Sequence, residues 1–411
     1  MLRRTLLLSG CALLAAAAGL PAAGDAAAAS IKIGVIGPLT GPAANSGISM
    51  RQAYELAAKE VNEEGGLTID GEKVQVELIF EDSASRPEVG VSAAQKLLTR
   101  DQVDVLVGDS IASSVTLALM EVAPSFNKFM MSGQPVSIEI ANRIANDPER
   151  FANFWKSSFN SDAYAATLHG TVDWLVESGD LEIKNQKVAF IVEDTDYGIS
   201  NYEYSAPLFE EEGWDTQMET VPLGHADFYP QLSKLRSDQP DVLVSIFTSV
   251  NSGIALVKQI KEQGLEALHL AVYYPIRAEF LEGVGEAGEG LLWTPLMFDP
   301  VNNETHKEFS DYMVENIGVP AGGDHAQGYC QMGMLLDNIE RAGSVEPEAL
   351  SAAFADTDYS CVIARYVYDT DIHTPKVGAE YLPVPMAQIQ GGSSYAIWPD
   401  TTATSEYQPQ N

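Results

Sequence analysis

The chain is predicted to be an α/β protein built as two doubly wound parallel-sheet lobes joined by a multi-strand hinge. Three observations predict this. Short β-rich runs alternate with helix-period segments over most of the length, which is the pattern of parallel sheets covered by helices on both faces. The alternation restarts near the middle of the chain. The last part of the chain holds too few strand-like runs for a third sheet, so it has to return to the sheets already begun.

Taken in order, Ile31–Gly37, Val74–Asp82, Val103–Gly108 and Phe129–Ser132 read as strands, with helices at Ser49–Glu64, Pro87–Leu98 and Ser113–Phe126 between them. The restart gives helix Asp162–Glu177, strand Lys187–Glu193, helix Asn201–Glu212, strand Asp241–Phe247, helix Ser252–Gln263 and strand Leu268–Tyr274. The strand-like Gly290–Pro295, a helix at Ala326–Ala342 and a strand near Cys361–Tyr368 are expected to complete the first lobe before the chain crosses back. The expected division is therefore residues 30–157 with 276–360 in lobe 1, and 158–275 with 361–411 in lobe 2. Several crossings between lobes make a hinge around a cleft.

Residues 1–29 read differently. Arg3 and Arg4 precede an apolar run from Leu6 to Leu20, and small residues crowd Ala22 to Ala29, the layout of a secretory signal peptide. Leu8-Ser9-Gly10-Cys11 also has the form of a lipoprotein box; because the apolar segment continues well past Cys11, lipidation there is the minor reading. The twin Arg3-Arg4 leaves a folded-export route open. Beyond residue 29 no apolar run approaches the ~20 residues needed to span a bilayer, so the mature chain is expected in the periplasm or outside the cell.

Asp plus Glu number 58 against 24 Lys plus Arg, a net charge of −34. Such a field repels nucleic acid and anionic lipid. The acids are scattered over helices, as at Glu210, Glu211 and Glu212, rather than gathered in a tail. A solvated surface is one account; adaptation to high salt, where screening tolerates the charge, is the favoured one. Export into an oxidising compartment leaves Cys330 and Cys361, either bridged or both free.

Strand carboxyl ends and helix amino ends meet at the crevice edge of doubly wound sheets, where ligands bind. The opening strand there leads into Gly37-Pro38-Leu39-Thr40-Gly41-Pro42, then an alanine-bearing helix closed by Asn62-Glu63-Glu64-Gly65-Gly66, then an extended run ending in Glu81-Asp82. In this combination the chain resembles the leucine/isoleucine/valine-binding proteins, type I periplasmic binding proteins that serve ATP-driven importers. The resemblance continues through Gly108-Asp109-Ser110-Ile111-Ala112-Ser113-Ser114, Asp194-Thr195-Asp196-Tyr197-Gly198, Ala287-Gly288-Glu289-Gly290, Gln327-Gly328-Tyr329 and Gln388-Ile389-Gln390-Gly391-Gly392, nearly all of the mature chain.

Ser113 and Ser114 open a helix after a strand, where hydroxyls and free N–H groups can hold a carboxylate or simply cap the helix. The resemblance implies ligand contact at this loop. It implies the same for Tyr197, facing the ligand from the second lobe. A similar argument covers Ser132 and Gln134 after the next strand of lobe 1. Phe247 and Thr248 lie at the end of one strand of lobe 2, and Tyr273 and Tyr274 at the end of another; each of these four stands between cleft wall and plain core. Lys156, at the first crossing, either meets an anionic ligand or, the favoured reading, forms a surface salt bridge at the hinge.

One departure matters. Amino-acid binders of this family place an acid just after the strand matching Asp241–Phe247, where it pairs with the ligand ammonium. Here the loop reads Thr248-Ser249-Val250-Asn251-Ser252, without a carboxylate. An ammonium would have to turn to Asp109, Asp194, Asp196 or an aromatic face. That shifts the expected ligand towards an amide, an aromatic acid or a short-chain carboxylate.

Catalysis finds no footing. No G-x-G-x-x-G follows a strand, and no P-loop or G-x-S-x-G elbow is present. His169, His225, His269, His306, His325 and His373 lack metal spacing. The chain is thus expected to be a monomeric solute-binding protein without cofactor, metal or nucleic acid, closing on one small molecule and delivering it to a membrane permease. The rival is a ligand-sensing receptor of the same fold.

Overall fold

The computed structural model describes residues 30–409, so residues 1–29, where a signal peptide with Cys11 is expected, and the last two residues lie outside the described part. The first lobe begins with β1 (Ser30–Gly37), α1 (Ala44–Glu63), β2 (Leu67–Ile69), β3 (Glu72–Asp82), α2 (Pro87–Lys96), β4 (Val105–Val107), α3 (Ser113–Met120), β5 (Phe129–Met131), α4 (Ile138–Asn146) and β6 (Phe154–Trp155). Its sheet runs β2-β3-β1-β4-β5-β6, parallel except for the β2–β3 hairpin. Strands β4 and β5 are apolar and wholly buried, as a sheet with helices on both faces requires.

The second lobe follows with α5 (Ser161–Ser178), β7 (Lys187–Glu193), α6 (Asp196–Glu211), β8 (Asp215–Val221), α7 (Tyr229–Asp238), β9 (Val242–Phe247), α8 (Val250–Gln263), β10 (Leu268–Tyr273), α9 (Ala278–Val284) and β11 (Leu292–Thr294). The chain then returns to lobe 1 with α10 (Glu304–Ile317), α11 (Gly323–Ala342) and α12 (Pro347–Ala355), α11 packing along α1. A small antiparallel sheet comes next, β12 (Asp358–Ser360), β13 (Arg365–Asp369) and β14 (Thr374–Pro375); β15 (Met386–Gln390) and β16 (Ser393–Trp398) end the chain.

Two sequence expectations about the later chain are corrected. The strand foreseen at Gly290–Pro295 does not complete lobe 1: β11 pairs with β10, and the second sheet runs β16-β15-β11-β10-β9-β7-β8. The first part of 276–360 therefore belongs to lobe 2. The strand near Cys361–Tyr368 is β13, which joins neither large sheet; Tyr368 packs on Trp155 and Phe354, against lobe 1 and the first crossing. Parallel partners separated by one helix are visible in sequence, whereas antiparallel closing strands drawn from far along the chain are not.

In each lobe the strand order reverses beside one strand: β1 is followed in sequence by β3 on one side and β4 on the other, and β7 by β8 and β9. Those switch points are where such sheets leave a crevice beyond their carboxyl ends.

Candidate functional site

A narrow cavity of ≈ 20 Å³ lies between the lobes at these switch points, room for about one water and well below the roughly 300–1,000 Å³ of an open ligand site. The first lobe and the crossing contribute Ile111, Gln134, Val136, Ser158, Phe159 and Gln327. The second lobe contributes Tyr164, Tyr197, Thr248 and Tyr273. No lining side chain is charged; four are aromatic.

Strand ends set the wall. In lobe 1, Ser110 N donates to Ile36 O (2.9 Å) and Gln134 N donates to Ser110 O (2.9 Å), tying the loops after β1, β4 and β5 to one another. Gly133 allows this approach, since a Cβ there would meet Ser110 O at 2.4 Å. Beneath the loop Asp109 is completely buried and accepts from Ile111 N (2.7 Å) and Ala112 N (2.8 Å). Burial pushes its carboxyl up to about 6, against the Ser83 hydroxyl and the two N–H groups, which favour the anion.

In lobe 2 Glu193 ends β7 and accepts from Thr248 N (2.7 Å) and Thr248 Oγ1 (2.5 Å) at the end of β9, and from Thr195 Oγ1 (3.0 Å). Burial raises its carboxyl too, with the same three donors pulling the other way. The helix after β7 starts at Asp196, five residues before the sequence-predicted start at Asn201, because Thr195 caps it and accepts from Gly198 N (3.3 Å). Tyr197 is thereby held in the first turn, buried, with its hydroxyl unpartnered. Gly198 sits against the strand end, where a Cβ would meet Glu193 O at 2.0 Å. Gly198→Ala should cost about 2 kcal/mol in urea-unfolding stability through forced displacement of the helix start; an unchanged midpoint would show that α6 has room to give.

Of the residues singled out from sequence, Gln134, Tyr197, Thr248 and Tyr273 come together on the cavity wall. Ser132 is buried behind it with an unpartnered hydroxyl. Ser113 is buried and its hydroxyl accepts from Ser137 N (3.2 Å). Neither Ser113 nor Ser114 is among the lining residues; Ile111, just upstream, is. Phe247 stacks between Phe228 and Tyr274, and Tyr274 OH lies 2.8 Å from Ser245 Oγ, so both sit in the core behind the strand ends.

Lys156 does not form the surface salt bridge foreseen for it. The side chain is completely buried, donating to Asn160 Oδ1 and to Phe159 O (3.2 Å), and burial lowers its ammonium to about 7. Cys330 and Cys361 are bridged. His169, which looked isolated in sequence, lies 3.2 Å from Asp173 and 3.4 Å from Glu212, away from the cavity.

Asp194 and Asp196, two candidates for meeting an ammonium, are exposed. The buried acids near the cavity are Asp109, Glu193 and one that sequence reasoning passed over, Asp324. Its Oδ1 accepts from Gln134 Nε2 (3.1 Å) and Tyr273 OH (3.1 Å), both groups on wall residues. Arg277, equally unforeseen, stands 4.4 Å over the Tyr273 ring. Asp324 lies in the first turn of a helix, where an acid is ordinarily read as favouring the helix dipole, and Arg277 carries no motif.

Among the described residues no helix is long and apolar enough to cross a membrane. Residues 30–392 match the sequence profile of the periplasmic binding protein family. A curated relative, Leu/Ile/Val-binding protein homolog 3 of Brucella melitensis, is 28% identical over 332 residues, 80% of this chain and 83% of the relative. Among solved structures, a leucine-binding protein from Thermotoga maritima superposes with TM-score 0.73 at 22% identity, over 89% of this chain and 97% of that one. A solute-binding protein of an ABC transporter from R. palustris, solved in complex with benzoate, gives TM-score 0.76 at 17% identity, over 92% and 98%.

Proposed function

Since the chain belongs to the periplasmic binding protein family, we propose that it is the extracytoplasmic solute-binding component of an ABC importer, capturing a small amino acid or a related amide or carboxylate and delivering it to a membrane permease. The observation that carries this reading is the interlobe cavity, walled from both lobes at both switch points by uncharged groups. Its walls combine aromatic faces with a few polar atoms, and the Tyr197 hydroxyl and Gln134 Oε1 are left without partners. Buried polar atoms are rarely left unmatched, so these two, on the cavity wall, are placed to meet a ligand or ordered water. The branched-chain naming of the relative and the benzoate held by the R. palustris protein are both compatible with such walls.

The test is thermal denaturation of the mature protein with leucine, isoleucine, valine, their amides and benzoate. A ligand present at a thousand times its Kd should stabilise by about 4 kcal/mol. Tyr197→Ala, which removes a wall and its hydroxyl, should abolish the shift while leaving the unliganded melt cooperative. An undiminished shift in Tyr197→Ala would remove the site assignment, and no shift with any member of the panel would remove the ligand class.

A further inference from the structure

Behind the uncharged wall lies an ion pair that joins the two lobes. Arg277 follows β10 and leads into α9, in the second lobe; Asp324 is in the first turn of α11, in the first. Arg277 Nε lies 3.3 Å from Asp324 Oδ2, with side chains only 3% and 2% exposed. The same Nε donates to Ser46 Oγ (2.5 Å) at the start of α1, again across the cleft. Tyr273 OH, from the second lobe, and Gln134 Nε2, from the first, converge on Asp324 Oδ1. At the edge of this seam Asn45 Nδ2 donates to Glu279 Oε1 (2.8 Å), a further link between lobes.

Both charges would be hydrated if the lobes parted, and both are dry when the lobes meet. A buried pair of this kind is tolerable only as a pair, because removing one member leaves the other charge buried and uncompensated. We propose that Arg277 and Asp324 are positioning residues for capture: they latch the lobes together and, through the shared Asp324 carboxylate, hold Gln134 and Tyr273 in the cavity wall. The proposal rests on the capture reading above, but it can be tested with no solute present.

The experiment is small-angle X-ray scattering of the ligand-free mature protein and its variants, with a cooperative thermal melt by circular dichroism as the check on folding. Asp324→Asn keeps the shape and an acceptor for Tyr273 while deleting the charge; Arg277→Met deletes the other. Each single variant should lose the compact population and show a larger radius of gyration than wild type. The double variant Arg277→Met/Asp324→Leu, which has no ion pair to hold the lobes, should stay as open as the singles. A double variant that recovers the wild-type radius would show that the singles opened only because an unpaired charge was left in the seam, and equal radii for wild type and both singles would also overturn the proposal. Should a single variant fail to melt cooperatively, the other single and the double decide by the same comparison. Loss of solute binding in the thermal panel would leave this outcome untouched, so the two readings fail separately.

Discussion

Removal of the Cys330–Cys361 bridge should lower unfolding stability by about 3.5 kcal/mol, the chain-entropy value for a closed loop of this size. The bridge spans 31 residues, from the middle of α11 to just beyond β12, enclosing α12. Cys330 is completely buried on a helix that packs along α1, while Cys361 lies in a turn where its N–H donates to Ala364 O (2.8 Å). The bridge therefore pins an irregular segment, with few ladder bonds of its own, to the helix that carries Asp324 and Gln327. The measurement is urea unfolding of wild type and Cys330→Ala/Cys361→Ala, with wild type plus reductant as a control free of the small volume change. A loss under 1 kcal/mol in both would mean that the reduced unfolded chain is already restrained.

How far this molecule could be read in advance depended on the range of the interaction concerned. Strand Lys187–Glu193 appears with its predicted bounds because an apolar run between polar turns is a local signal. The wall residues Gln134, Tyr197, Thr248 and Tyr273 were reachable because crevices open at strand carboxyl ends, a rule that needs only strand positions. The early start of α6 was hidden because Gly198 suggests a break, whereas its role is to let the helix approach Glu193 O. The placement of β11 was hidden because its antiparallel neighbour β15 comes from near the end of the chain. Arg277 and Asp324 were the least legible: neither lies in a motif, and each acquires a role only when the lobes bring them together. The absence of an acid between Thr248 and Ser252 was legible, but that Glu193 sits beneath that loop and bonds Thr248 was not.

Stability should fall as pH rises from about 4 to 7, and Asp109→Asn should remove that part of the dependence which Asp109 causes. The carboxyl is completely buried and its folded-state value is raised from 3.8 to about 6, chiefly by burial. The folded protein therefore holds this proton more tightly than the unfolded chain does. The stabilisation is complete below the unfolded value and is lost as pH rises through the folded one. At 1.36 kcal/mol per unit the difference amounts to about 3 kcal/mol. Asparagine resembles the protonated acid: it keeps an oxygen for the N–H groups of Ile111 and Ala112 and never ionises. Wild type and Asp109→Asn should thus be of similar stability near pH 4, with the variant ahead by about 3 kcal/mol at pH 7, by urea unfolding at each pH. Glu193, also raised by burial, titrates in both proteins and cancels in the difference. Parallel pH profiles would show that the loop opens enough to hydrate Asp109. A variant that is more stable at pH 7 would mean that the native chain carries a buried charge at a cost beneath the loop that supplies Ile111 to the cavity. Local costs of this kind are expected at functional sites and not in cores selected for stability alone.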